Sequence, residues 1–292
     1  MEDSLFTMLL LPAALAIIMV GLGLELTPAD FRRVLSVPRG VAIGMLNLAA
    51  IAPAIAFGIA ELFALSPVLA VGLVLLGASP GGTMANMLTH LARGDTALSV
   101  TMTAISSLAA IVTVPLALEL AQSHFDARGL ADDLSMGGVV ARVFLITIVP
   151  VSVGMAVRRR WPAWTVAARP RIARVALGTF LLVVVGAVIS EHDRVLDHLA
   201  EVAGAALALN VAAMTVAFVV AKLARLGDRQ ATAISLELGV HNATLAIAVG
   251  ASLAPALTIP AAVYSSFMFV TGGLFAHVMR RRNAVSAAAA IA

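Results

Sequence analysis

Apolar residues run along this chain in long blocks, without the 2.0 or 3.6 periodicity of half-buried strands and helices. A membrane-spanning helix needs about 20 mostly apolar residues. Nine blocks reach roughly that length: 5–25, 38–62, 67–92, 97–121, 138–157, 173–191, 200–223, 229–252 and 256–279. The connections between them are short. The pattern predicts an all-α polytopic membrane protein, folded as one compact bundle. The first block lacks a basic stretch before it and a small-residue cleavage pattern after it, so it reads as a retained helix.

Two blocks depart from plain hydrophobicity in a matching way. In "VLAVGLVLLGASPGGTMANMLTHLARG", Val68 to Gly94, the run is broken by Pro80-Gly81-Gly82. In "ATAISLELGVHNATLAIAVGASLA", Ala231 to Ala254, the break centres on Gly239. Each break is followed by an asparagine, Asn86 in one and Asn242 in the other. Glycine and proline are common in membrane helices, so each break alone reads as a kink or a packing contact. Paired interruptions in two halves of a chain point instead to a transporter site at the bilayer midplane. Non-helical backbone at that depth is tolerated only beside protein or a water-filled cavity. Freed N–H groups at a half-helix N-terminus suit an anion, and freed carbonyls suit a cation.

Composition agrees with the membrane reading. Of 292 residues, 61% are hydrophobic and 12% charged, and the mean hydropathy is +1.02. A soluble domain is about half apolar and about a quarter charged. The absence of cysteine removes disulfides, thiolate metal sites and cysteine nucleophiles. The formal net charge of +3 comes from basic residues dispersed over short loops, which argues for a lipid bilayer and against nucleic acid as partner. Their distribution predicts topology. Sixteen of the 19 Lys and Arg residues fall on one side, at Arg32, Arg33, Arg39, Arg93, Arg158–Arg160, Arg169, Arg171, Arg174, Lys222, Arg225, Arg229 and Arg280–Arg282. Arg128, Arg142 and Arg194 fall on the other. Cytoplasmic loops carry the excess. The expectation is a plasma (inner) membrane protein with its N-terminus outside and its C-terminus cytoplasmic.

Glu237 is the acidic residue set deep within a block. A carboxylate at mid-bilayer costs at least about 2.5–3.5 kcal/mol on insertion scales, so it implies an offsetting cation, proton or basic partner. No Lys or Arg lies at similar depth. The fourth block offers Ser99, Thr101, Thr103, Ser106 and Ser107. Ser99 and Thr103, spaced i, i+4, share a helix face. Such hydroxyls more often bond back to their own helix. Together with an amide and a carboxylate they would make an oxygen site suited to a small hard cation.

The residues around these features resemble the bile acid:sodium symporters. The matching stretches are Pro80-Gly81-Gly82-Thr83-Met84-Ala85-Asn86, His90-Leu91-Ala92-Arg93-Gly94-Asp95, Ala97-Leu98-Ser99-Val100, Gly23-Leu24-Glu25-Leu26-Thr27-Pro28-Ala29-Asp30-Phe31 and Glu237-Leu238-Gly239-Val240-His241-Asn242. They occur in the family's order and cover nearly the whole chain. The resemblance implies an inverted-repeat transporter with two broken, crossing helices. It implies a core domain from helices near 38–121 and 200–279, and a panel domain from helices near 5–25 and 138–191. The nine blocks are similar to a form lacking the family's first helix. Sodium ligands would carry over to Asn86, Ser99, Thr103 and Glu237 at one site. At a second they would be Glu237 and His241 with the carbonyls of Leu238 and Val240. A small organic anion would meet Gly82, Thr83, Asn86 and Asn242. No cofactor other than sodium ion is implied.

Three departures bear on coupling. Ala85 stands where the family has serine, Leu48 where it has a glutamine, and His241 where it has another glutamine. A neutral imidazole nitrogen is a poor ligand for a hard cation. The second sodium site is therefore expected to be lost and the first weakened. Imidazole changes charge between pH 5 and 8, so a proton on Glu237 and His241 is a candidate replacement; a neutral, hydrogen-bonded His241 is the other reading. The expected function is symport of a small organic anion with sodium or protons, and not enzymatic. A channel or a sodium-independent uniporter on the same scaffold is the alternative. The acidic and imidazole groups His192, Asp193, Asp197 and His198, like Asp132 and Asp133, read as a solvated surface.

Overall fold

The computed structural model describes residues 11–127, 136–190 and 192–289, and these residues are almost entirely helical. The helices are α1 (Leu11–Glu25), α2 (Pro28–Arg32), α3 (Pro38–Leu46), α4 (Ala52–Leu62), α5 (Pro67–Gly77), α6 (Thr83–Leu91) and α7 (Thr96–His124). They continue as α8 (Met136–Arg160), α9 (Pro162–Ser190), α10 (His192–Leu223), α11 (Asp228–Gly239), α12 (Ala243–Ala251) and α13 (Ile259–Ala289). In hydrocarbon a backbone must satisfy its own polar groups, which helices do internally. The side chains of the acidic and imidazole groups near residues 132 and 192–198 lie outside the described residues.

Among the described residues, six helices are long and apolar enough to span a membrane, and α1 with the bent α2 makes a seventh. The remaining two expected spans are the tandem pairs α5/α6 and α11/α12. Each member has only 9–12 residues, too short to cross alone. The nine expected spans are thus present. Their ends differ. α9 starts at Pro162, well before the apolar block at 173, because hydropathy marks the hydrocarbon-embedded part while helical hydrogen bonding runs on through the basic interfacial turn. α10 likewise starts at His192, before the block at 200. The connection after α1 is not a plain loop. α2 turns away from α1 by 72°, capped by Asp30, which accepts from the Thr27 N–H (2.7 Å) and hydroxyl (2.6 Å).

Sequence punctuates the helices. Proline occupies the first turn of α2, α3, α4 and α5. Asp95 caps α7 by accepting from the Leu98 N–H at 3.0 Å. Between α3 and α4 the helix carries a π-helical turn, Asn47–Ile51. α1 packs on α8 and α9, while α11 packs on α6, α7, α10 and α13. At the α1–α8 contact Gly23 and Gly154 face each other so closely that a Cβ on either would strike the other helix's backbone.

Candidate functional site at the helix crossing

The two breaks meet. Gly81 and His241 form an isolated antiparallel bridge. The Gly82 N–H donates to the Val240 carbonyl at 3.0 Å, and the Asn242 N–H donates to the Pro80 carbonyl at 2.8 Å. A helix end leaves its terminal N–H and C=O groups unpaired, and each break here supplies partners for the other. Residue numbers 81 and 241 differ by 160. Adding 160 to the bounds of α5 and α6 gives 227–237 and 243–251, against the observed 228–239 and 243–251. The match is one of position and geometry, since the residues themselves differ.

Beside the crossing, α6, α7 and α11 bring together the four residues of the first expected cation set. The Ser99 Oγ lies 2.7 Å from Asn86 Oδ1 and 2.6 Å from Glu237 Oε1. The Thr103 Oγ1 lies 3.2 Å from Asn86 Oδ1, and 2.9 and 3.1 Å from the two Glu237 carboxylate oxygens. Ser99, Thr103 and Glu237 are fully buried and Asn86 nearly so. Two hydroxyls carry one proton each. They face an amide carbonyl, two carboxylate oxygens and the Ser99 backbone carbonyl. Acceptors outnumber protons, and among the described residues no basic side chain bonds Glu237. An all-oxygen set of this kind fits a hard monovalent cation or a proton. Thr101 and Ser107 bond back to their own helix, as such hydroxyls commonly do. Ser99 escapes that fate and Thr103 divides between both.

Gly81 is what lets the carboxylate in. A Cβ at that position would collide with Glu237 Oε2. The break in the first half therefore shapes the surroundings of an acid supplied by the second.

The second expected set is arranged differently. His241 Nδ1–H donates to the Ser79 carbonyl at 3.0 Å, while its buried Nε2 has no hydrogen-bond partner among the described residues. Among the described residues His241 and Glu237 make no hydrogen bond to each other, although they are four apart in sequence; the helix ends between them at Gly239. The Val240 carbonyl is engaged by Gly82, and the Leu238 carbonyl accepts weakly from Tyr264 at 3.4 Å. Leu48, in the π-helical turn, is buried and lines a small cavity against Ser79 and Pro80. An apolar side chain thus stands beside the first break.

Among the substrate candidates, Asn242 caps α12 by accepting from the Leu245 N–H at 3.1 Å, and its Nδ2 lies 4.0 Å from Met19 Sδ. Gly82 begins α6 with no side-chain cap. The first N–H groups of α6 therefore stay without a side-chain acceptor. Gly82, Thr83 and Asn242 line one small cavity beneath α1 and α9. A larger cavity of about 320 Å³ holds Thr83, Asn86 and His90 on one wall and Leu22, Glu25 and Ala176 on the other. Asn86 borders both this cavity and the oxygen cluster.

Tyr264 and Asn210 belong to no motif and were not among the expected site residues. The Tyr264 hydroxyl donates to the Gly239 carbonyl at 3.0 Å and Asn210 Nδ2 donates to it at 2.8 Å. Together they satisfy the carbonyl freed at the end of α11. Both are fully buried. The signal available was their chemistry: the chain's single tyrosine, and a lone amide deep in an apolar block.

Comparison with known proteins finds several relatives. The "Uncharacterized sodium-dependent transporter YocS" of Bacillus subtilis is 32% identical over 267 residues, covering 90% of this chain and 80% of that protein. The "Probable sodium/metabolite cotransporter BASS1, chloroplastic" of Arabidopsis thaliana is 28% identical over 270 residues, 91% of this chain and 66% of its own length. The human "Ileal sodium/bile acid cotransporter" is 27% identical over 234 residues, 79% of this chain and 66% of its own. The chain spans about two thirds of the length of the plant and human relatives. The model of the Sodium Bile acid symporter family matches residues 12–198. With crossed, broken helices at the centre of a polytopic bundle and this match over most of its length, the chain belongs to the Sodium Bile acid symporter family, a family of membrane transporters and not of enzymes.

Proposed function

We propose that the chain is a secondary active symporter that moves a small organic anion together with a cation through the helix crossing. The observation that carries this reading is the buried Glu237 carboxylate, held among Asn86, Ser99 and Thr103 with more acceptors than protons. A cation bound there neutralises the acid. It also fixes Asn86, which borders the 320 Å³ cavity, so cation and substrate act on one side chain. The anion sits at the uncapped N-terminus of α6, near Gly82 and Thr83, with the Asn242 amide facing it. The names of the bacterial and human relatives favour sodium as the cation.

The coupling is reduced relative to a two-sodium symporter. Ala85 removes one hydroxyl from the first set. Leu48 and His241 remove amide oxygens from the second, whose further ligands would be Glu237 and the Leu238 and Val240 carbonyls. A second reading, in which protons replace one or both sodium ions, is favoured by the unpartnered Nε2 of His241. In both, α1, α8 and α9 act as a panel against which the crossing helices rock to give alternating access. The chain lies in the plasma membrane with its C-terminus cytoplasmic, as the arginine distribution favours.

The test is thermal unfolding of the purified protein in detergent, with sodium against potassium, from pH 5.5 to 8. A ligand that binds only the folded state raises apparent stability by mass action. Saturable stabilisation by sodium, lost in Glu237→Gln, is the expected result. A pH-dependent shift without a sodium effect, abolished in His241→Gln, selects the proton reading. Indifference to both ions sinks coupled transport at this site. Saturable uptake by proteoliposomes, instead of steady conduction, separates the carrier from a channel.

A further inference from the structure

A second cavity, of about 430 Å³, lies along the outer seam of α1 and α9, on the bilayer side of the panel helices. Its α1 wall is Ile17, Val20 and Leu24, and its α9 wall is Trp164, Val175 and Arg171. Ile17, Trp164 and Val175 are each about half exposed, an apolar surface open to lipid in a membrane. Trp164 and Arg171 are seven residues apart on α9, two turns or about 10 Å along one helix face. Trp164 sits where interfacial aromatics collect.

The arginines of this region look alike in sequence and differ in the structure. Arg158 donates to the Leu24 and Glu25 carbonyls and so closes the C-terminus of α1. Arg160 stacks on Trp161, its guanidinium carbon 5.6 Å from the ring. Arg174 donates to the Pro170 carbonyl of its own helix. Arg171 has no acceptor among the described residues, and it lines the apolar groove. A guanidinium partway along an acyl-chain-sized groove, on a side chain long enough to snorkel toward the level of Trp164, is complementary to a phosphate with a hydrocarbon tail.

We infer that the α1–α9 seam is a binding site for one anionic phospholipid, with an acyl chain along the groove and the headgroup phosphate on Arg171. The seam is also thin. Gly21, Ile172 and Ala176 line both this groove and the 320 Å³ inner cavity. A bound acyl chain therefore backs the wall of that cavity.

Native mass spectrometry of the full-length protein, delipidated in detergent and titrated with phosphatidylglycerol or phosphatidylcholine, tests this. One phosphatidylglycerol is expected to bind in preference to phosphatidylcholine. Arg171→Gln should weaken it about fivefold, the effect of one basic residue at an anionic lipid surface, while Arg281→Gln leaves it unchanged. Val175→Trp, which fills the groove from an exposed position, should weaken both lipids. An unchanged melting temperature in lipid-free detergent shows that each variant is folded. Equal binding of the two lipids, indifference to Arg171→Gln, displacement by inorganic phosphate, or a lipid-free dimer abolished by Val175→Trp would overturn the assignment.

Discussion

The two breaks occupy equivalent places and do opposite work. Pro80-Gly81-Gly82 contributes room: Gly81 leaves space for the Glu237 carboxylate, and Gly82 begins α6 without a side-chain cap. Val240-His241-Asn242 contributes side chains: His241 bonds the Ser79 carbonyl and Asn242 caps α12. One half-helix N-terminus is therefore capped by its own side chain and the other has no side-chain cap. An inverted repeat supplies two geometrically matched ends, and substitution at each decides which is structural and which is free.

Substitutions at matched positions can break or sharpen this contrast. The largest effect is expected from Gly81→Ala, whose methyl would meet Glu237 Oε2. Overpacking of this kind costs about 1–3 kcal/mol. The carboxylate must also leave the hydroxyls, so sodium-dependent stabilisation and coupled uptake should both disappear, read by melting curves and by proteoliposome uptake. His241→Ala, at the paired position, strands the buried Ser79 carbonyl at a cost of about 1–3 kcal/mol. Any sodium effect at Glu237 should survive it, because the two side chains make no hydrogen bond to each other among the described residues. Equal loss in both variants would show that the breaks share one task.

Asn242→Ala removes the α12 cap and should lower stability by about 1 kcal/mol, within the range for such caps. Chemical unfolding in mixed micelles measures it. A gain instead of a loss would mean that Asn242 is held for substrate and strained as a cap. The smallest effect is expected from Tyr264→Phe. The Gly239 carbonyl keeps the Asn210 bond at 2.8 Å, so the loss should stay near the net value of one hydrogen bond, about 0.5–1.5 kcal/mol. Pairing it with Asn210→Leu should cost more than the two single changes together, because the carbonyl is then unsatisfied.

Several features are legible in the amino-acid sequence alone. Apolar blocks near 20 residues have one solution in hydrocarbon, so the helical spans and both breaks follow from the order of residues. Glu237 is equally plain, because an acid at that depth needs compensation. The choice among Ser99, Thr101, Thr103, Ser106 and Ser107 is legible only in part, through spacing and the family resemblance. Ser99 and Thr103 reach Glu237 through the packing of α6, α7 and α11, whereas Thr101 and Ser107 bond locally. Spacing names a helix face but not what faces it.

The same limit explains His241 and Glu237. Four residues apart on an unbroken helix they would be neighbours. The helix ends at Gly239, and they turn to different partners. Tyr264 and Asn210 show in the sequence only as polar groups in apolar blocks, because their acceptor is a backbone carbonyl, which carries no sequence signature. What the sequence alone determined was solvent and depth: how many apolar blocks, where they break, and which acidic group lies within one, since transfer from water depends on local composition. What the tertiary structure decided was partnership. It paired the breaks, chose the hydroxyls around Glu237, and separated an arginine that closes a helix end from one that lines an apolar groove, because hydrogen bonds at these distances depend on the positions of segments far apart in sequence.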